Sequence, residues 1–153
     1  MNIWNTNQLA ADLASEALSQ QQKAQYYIAC FYLQIAATVL PMYFLGYSYY
    51  LNIVTFASYV ATLAVFHVGA MSVYKACSGY KKAGVLDTLV VLSLPVCLKI
   101  QLVYWLSYAL IALLFAEQQS AAYVWLIYSF VAMPVMVWCQ FYLIKKAVQQ
   151  NYA

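Results

Sequence analysis

The stretch LPVCLKIQLVYW, residues 94 to 105, places one lysine inside an otherwise apolar run. Between Val85 and Ala116 the only charged residues are Asp87 and Lys99. The run is longer than the about 20 residues that a helix needs to cross a hydrocarbon core of about 30 Å. It therefore predicts a membrane helix, and it raises the question of how that helix accommodates an ammonium group.

The composition of the whole chain is that of a membrane protein. Of its 153 residues, 67% are hydrophobic and 7% are charged, whereas soluble domains carry roughly 25% charged residues. The seven basic residues are all lysines that stand singly or in pairs beside apolar runs, so the net charge of +3 does not indicate a nucleic-acid partner. We predict an all-α integral membrane protein whose partners are the lipid bilayer and other membrane-protein subunits, or copies of itself.

Four apolar runs are bounded by polar or charged residues, and each is long enough for a membrane helix. Period-two alternation, which a membrane-spanning strand requires, is absent. We predict four transmembrane helices at about residues 26–47, 52–74, 87–116 or 96–116, and 121–144. They form one membrane domain, residues 25–146, between a cytoplasmic helix within residues 1–24 and a cytoplasmic tail, residues 147–153.

The lysines outside the apolar runs predict the orientation. Lys23 precedes the first run, three lysines follow the second, and Lys145 and Lys146 follow the fourth. The two loops on the other side contain no lysine. Because lysines are enriched in cytoplasmic loops, we predict a multi-pass inner-membrane protein with both termini in the cytoplasm.

The N-terminal segment has the pattern of a short amphipathic helix. Thr6 or Asn7 is placed to cap it, and Leu9, Leu13 and Ala17 follow at intervals of four residues. Three placements fit this pattern: on the inner membrane interface, against a partner, or in solvent as a lead-in to the first membrane helix.

Two structures of the third run give Lys99 different depths. In one, a tilted helix of about 28 residues starts near Asp87 and places Lys99 about 18 Å along its axis. In the other, Pro95 breaks the run, residues 85–95 form an interfacial or re-entrant segment, and Lys99 snorkels to the nearby interface. A buried Lys99 is expected to find its counter-charge in a lipid phosphate or another chain, since Asp87 is twelve residues away.

A few polar residues and prolines within the runs are candidates for partner or pore contacts. Lys99, His67 and Gln101 are candidates to line a pore, and Gln34 and Gln140 to hydrogen-bond across helices. The prolines predict kinks or hinges at positions Pro41, Pro95 and Pro134.

The sequence offers no combination of residues that indicates catalysis. Its four acidic residues are scattered over ends and loops, and its four cysteines lack metal-ligand spacing. We expect no enzyme, no metal site and no cofactor. Haem ligation through His67, the single histidine, is the less favoured alternative.

Residues 66–98, FHVGAMSVYKACSGYKKAGVLDTLVVLSLPVCL, join a helix end, a basic loop with Gly79, Lys81 and Lys82, and an apolar segment with Ser93 and Pro95. This arrangement resembles the centre of bacterial Yip1-domain membrane proteins. That family usually has five helices, whereas four are predicted here. The resemblance implies a membrane-organising or trafficking-type protein without enzymatic activity.

Three functions are compatible with these features. The first is a non-enzymatic accessory or scaffold subunit that packs within a larger membrane complex. The second is a homo-oligomeric channel or transporter component. The third is a membrane-embedded immunity or exclusion protein.

Overall fold

A computed structural model describes residues 4–45, 53–78, 84–115 and 121–151 and shows five helices and no strand within them. All the helices are α-helices, which confirms the predicted all-α class. Their bounds are α1 Thr6–Ala14, α2 Gln20–Leu45, α3 Ile53–Ser78, α4 Val85–Phe115 and α5 Ala121–Asn151.

The directions of the four long helices follow from side-chain contacts between them. Lys23 pairs with Asp87, and the thiols of Cys30 and Cys97 hydrogen-bond to each other, so α2 and α4 run parallel. Tyr128 of α5 contacts Tyr104 of α4, whereas Ile144, later in α5, shares a core with Val91, earlier in α4, so α5 runs antiparallel to α4. One end of the bundle therefore carries Lys23, Lys75, Lys145 and Lys146, and we call it the lysine end.

Helices α3 and α5 pack closely against each other at Gly69. Ser58 donates a hydrogen bond to the Phe130 carbonyl at 3.3 Å, and Phe141 lies against Gly69 further along both helices. Ser58 and Gly69 are eleven residues apart on α3, as are Phe130 and Phe141 on α5. The two helices therefore run parallel in one register. The ring of Phe141 also meets Phe66 edge to face, with centroids 5.2 Å apart.

Among the side chains that the structure describes, the buried apolar ones are concentrated toward the lysine end. They come from all five helices: Leu9, Ala10, Leu13, Tyr26, Cys30, Val73, Cys77, Val91, Leu92, Leu94, Val96, Phe141, Ile144, Ala147 and Val148. We call this set the lysine-end core. The exposed fraction of the apolar side chains rises abruptly along α4: Val96 is 1% exposed, whereas Leu106 is 68% and Leu113 is 80% exposed. The remote parts of α3, α4 and α5 thus leave large apolar side chains uncovered.

Three helices are long and apolar enough to cross a membrane within the residues that the structure describes, not the four predicted. They are α3, α4 and α5, and the candidate spans within them are Phe56–Cys77, Val85–Phe115 and Phe130–Asn151. The described side chains of α2 belong mainly to its amino-terminal half, where Gln20, Gln21, Gln22, Lys23 and Gln25 lower the hydropathy. Most side chains of its apolar half, residues 34–45, lie outside the described part.

At Pro95 the structure shows the first of the two predicted arrangements, a single helix, and not the second. No break or re-entrant segment forms over residues 85–95, because α4 continues through Pro95 as one helix of 31 residues. Pro95 is fully buried in the packing toward the lysine end. Surrounding helices hold the backbone in the helical conformation that a proline disfavours when it stands alone.

The N-terminal helix is capped and packed differently from the prediction. Asn5, rather than Thr6 or Asn7, is the N-cap, and its side chain accepts a hydrogen bond from the Gln8 amide at 3.2 Å. The buried residues Leu9 and Leu13 turn α1 toward α4 and α5 of the same chain. The helix is therefore a packed element and not a solvated lead-in.

A short connection joins α1 to α2. Ser19 and Gln22 form a capping box, in which each side chain accepts from the other's backbone amide at 3.3 and 2.9 Å. Before it, Glu16 has a left-handed backbone with φ of 58°. Through this connection the chain passes from α1, which packs against α4 and α5, into α2.

We predict that Gly69→Ala destabilises the bundle. A Cβ at this position would lie 2.6 Å from Cγ and 2.9 Å from Cβ of Phe141. Overpacking costs about 1–3 kcal/mol, whereas the gain in helix propensity is only about 1 kcal/mol. Thermal unfolding in a mild detergent is expected to show a lower midpoint. Ala64→Leu adds a larger group at an exposed position of the same helix and serves as the control; equal midpoints for both variants would contradict the α3–α5 contact.

Candidate functional site

An apolar groove lies between α4 and α5 and contains Lys99. Its volume is about 390 Å³, within the range of about 300–1,000 Å³ found for ligand pockets. Val103 of α4 and Ala132, Val135 and Met136 of α5 contribute to its almost wholly apolar lining. The site thus combines one cation with a surface suited to an apolar ligand.

Lys99 reaches across to the N-terminal helix. Its Nζ donates a hydrogen bond to Oγ1 of Thr6 at 3.0 Å, and Lys99 is half-buried. Within the described ranges, no carboxylate forms an ion pair with Lys99. The ammonium is thus held by a neutral hydroxyl at one end of the groove, and the first turn of α1 is fixed to α4.

Two hydroxyl groups, those of Ser107 and Tyr128, lie at the opposite end of the groove. Ser107 Oγ lies 2.8 Å from the Tyr104 carbonyl and 2.8 Å from Tyr128 Oη, which is itself 3.2 Å from the same carbonyl. The rings of Tyr104 and Tyr128 stack with centroids 5.8 Å apart. Because these polar atoms bond to one another, this end presents no charge to a ligand.

The acidic residue nearest to Lys99 along α4 is already paired. Asp87 Oδ2 accepts from Lys23 Nζ, and this ion pair joins the start of α4 to the start of α2. The side chains are 44% and 20% exposed, respectively, so water screens the pair and its contribution to stability is small. Its structural effect is to set the register of α2 against α4.

The candidate residues chosen from the sequence do not form one site. Lys99 lines the groove, but His67 is exposed on α3 and is not part of the groove lining. Gln101 and Gln140 are half-buried on α4 and α5, outside the groove lining. Gln34 lies in α2, and its side chain is outside the described part of the chain.

The prolines occupy continuous helices. Pro95 and Pro134 lie inside α4 and α5, and neither interrupts its helix. Pro41 lies within the bounds of α2, and its side chain is outside the described residues. Across the described ranges no group of His, Cys, Asp and Glu side chains is arranged to hold a metal ion.

Sequence reasoning missed Thr6 as the partner of Lys99. The two residues are 93 positions apart, and no local pattern joins them. The spacing of Leu9 and Leu13 indicated that α1 has a face to bury, but the spacing carries no information on which helices cover it. Tyr104, Ser107 and Tyr128 gave no signal either, because interfacial tyrosines are common in membrane proteins.

Comparison with known proteins found no match to a family model, a curated protein or a solved structure.

We predict that Thr6→Val loosens α1 from the bundle. The substitution keeps the shape of the side chain but removes the acceptor of the Lys99 ammonium, and a hydrogen bond to a charged group contributes about 1.5–3 kcal/mol. The amides of α1 are then expected to exchange at least about tenfold faster in hydrogen–deuterium exchange, since 1.4 kcal/mol corresponds to a factor of ten.

The control is Thr62→Val, which removes a hydroxyl bonded only within α3, to the Ser58 carbonyl at 2.7 Å. It should leave exchange in α1 unchanged. Unchanged α1 exchange in Thr6→Val itself would show that the apolar contacts of Leu9 and Leu13 hold α1 without the Lys99 bond.

Proposed function

We propose that this chain is a non-enzymatic multi-pass membrane protein that serves as an accessory or scaffold subunit of a larger membrane complex. The observation that carries the proposal is the distribution of burial. The chain builds a core of its own at the lysine end and leaves the remote apolar parts of its helices uncovered. A bundle of this kind is completed by lipid on some faces and by protein on others.

The exposed aromatic side chains support a membrane boundary near the lysine end. Tyr27, Tyr32, Tyr74, Trp138 and Tyr142 are each more than half exposed. They belong to α2, α3 and α5, on the part of each helix nearest its lysines. Tyrosine and tryptophan prefer the membrane–water interface, so we place the interface at these rings.

This boundary also gives Lys99 a reasonable depth. The seventeen residues from Lys99 to Phe115 span about 24 Å, most of a hydrocarbon core of about 30 Å. Lys99 then lies a few ångströms inside the interface, where a lysine can extend its ammonium toward the headgroups. The cost of a lysine at the membrane centre, about 2.5–3.5 kcal/mol or more, is thereby reduced.

We further propose that α2 is a fourth membrane helix. It has 26 residues, and its apolar part, residues 26–45, is parallel to α4, which is long and apolar enough to cross. With four crossings both termini lie on the lysine side. The positive-inside rule then places that side in the cytoplasm and the protein in the inner membrane.

The orientation predicts the behaviour of reporter fusions. A phosphatase fused after Ala153 should be inactive, because it is active only in the periplasm, whereas a fluorescent protein at the same position should be bright. A phosphatase fused in the segment between α4 and α5 is the matched control and should be active. Periplasmic activity of the C-terminal fusion would contradict the proposed orientation.

The remote half of α4 is the surface that we assign to the partner. Its apolar side chains outside the groove are about half or more exposed: Leu102, Leu106, Leu110 and Leu113. By contrast, α3 and α5 cover each other from Ser58 and Phe130 to Gly69 and Phe141. Their outer faces still expose side chains such as Leu63 and Ile127, and the remote half of α4 is the surface that we test first.

Purification in mild detergent or nanodiscs tests the subunit proposal. The tagged chain should co-purify from its native host with a different protein at a fixed ratio, read by native mass spectrometry. Leu106→Trp, on the proposed contact, should abolish co-purification. Leu86→Trp is the control, since Leu86 is 77% exposed at the lysine end of the same helix. A homo-oligomer without another protein would overturn the subunit proposal and favour the channel or transporter function.

A further inference from the structure

The groove between α4 and α5 has the features of a site for one anionic phospholipid. It is apolar along its length, Lys99 lines one end and bonds to Thr6 there, and neutral hydroxyl groups line the other end. A phospholipid has the same distribution of chemistry, with a charged headgroup and an apolar chain. We propose that Lys99 binds the phosphate of an anionic phospholipid whose acyl chain occupies this groove.

The charge of Lys99 selects an anion over other occupants. Its ammonium has three donors, and one of them is used by Thr6. In the described part of the chain no carboxylate pairs with Lys99, and Asp87 is engaged by Lys23. A phosphate at this position supplies the counter-charge that the protein does not supply, as basic pockets between membrane helices do for other anionic lipids.

The direction of the groove also fits a lipid of the adjacent leaflet. From Lys99 the groove runs past Val103 to Tyr104 and Ser107, away from the lysine end. In the membrane placement proposed above, on which this inference rests, that direction leads from the headgroups into the hydrocarbon. The headgroup and the chain thus meet the cation and the apolar lining in the correct order.

Thr6 gives the site a connection to the N-terminal helix. The hydroxyl that accepts from Lys99 belongs to the first turn of α1, so a phosphate at Lys99 lies beside that turn. The amides of residues near a helix N-terminus are favourable neighbours for an anion. Binding of the lipid is therefore expected to hold α1 against the bundle more firmly.

The test uses the full chain in nanodiscs that contain equal amounts of phosphatidylglycerol and phosphatidylcholine, followed by native mass spectrometry. The wild type should retain phosphatidylglycerol about fivefold over phosphatidylcholine, since a lysine near the membrane surface contributes about 1 kcal/mol toward anionic lipid. Lys99→Gln should remove this preference. Lys146→Gln, which neutralises an exposed lysine at the lysine end, should keep it.

A second variant tests the groove separately from the charge. Ala132→Leu fills the lining with a larger side chain and keeps Lys99, so it should also lose the retained phosphatidylglycerol. Ala64→Leu makes the same change on an exposed face of α3 and should retain the lipid. Because Lys99→Gln and Ala132→Leu alter different parts of the site, either variant decides the question if the other fails to fold.

Three outcomes would overturn the inference. They are equal retention of both lipids by the wild type, an unchanged preference in Lys99→Gln or Ala132→Leu, and a partner protein in place of the lipid at the groove. These outcomes are independent of the subunit proposal, which is tested by co-purification from the native host. Failure of the membrane assignment itself would appear earlier, because the chain would not enter the nanodisc.

Discussion

Burial of the first third of α4 is the interaction on which the rest of the structure depends. This segment contributes Val91, Leu92, Leu94 and Val96 to the lysine-end core. In the described part of the chain, α4 is also the helix that contacts each of the other four. Its register against α2 is set by Asp87 and its contact with α1 by Lys99. The positions of the other helices are thus defined relative to α4.

The lengths of α4 and α5 explain why the core lies at one end. Each has 31 residues, about 46 Å at 1.5 Å per residue, which exceeds a hydrocarbon core of about 30 Å. In the proposed placement, about ten residues of each helix extend beyond the membrane on the lysine side. There the apolar residues have to be covered by protein, because water replaces lipid as the solvent. The short helix α1 supplies part of that cover through Leu9 and Leu13.

The sequence predicted what depends on composition and local spacing. It indicated an all-helical protein and positions of the long helices close to those observed, because apolar runs and their polar boundaries are local properties. It could not decide between one continuous helix and a break at Pro95, since the burial of Pro95 among residues of other helices, which overrides its local preference, leaves no trace in the local pattern. Nor did it predict the contact of Gly69 with Phe141 or the bond of Lys99 to Thr6. Both depend on residues at least 72 positions apart, and no periodicity in a single sequence records such pairs.

Three properties of the structure account for Lys99 within an apolar helix. Along α4, Lys99 stands where buried residues give way to exposed ones, so it marks the level at which the solvent changes in the proposed placement. Across the bundle, it binds Thr6 and so attaches α1 to the membrane domain. At the end of the groove, its ammonium carries a positive charge that the described carboxylates leave unpaired. A lysine that only marked the topology would need the first property alone. The other two require an ammonium group at this position, and both are consistent with a headgroup phosphate as the missing counter-charge.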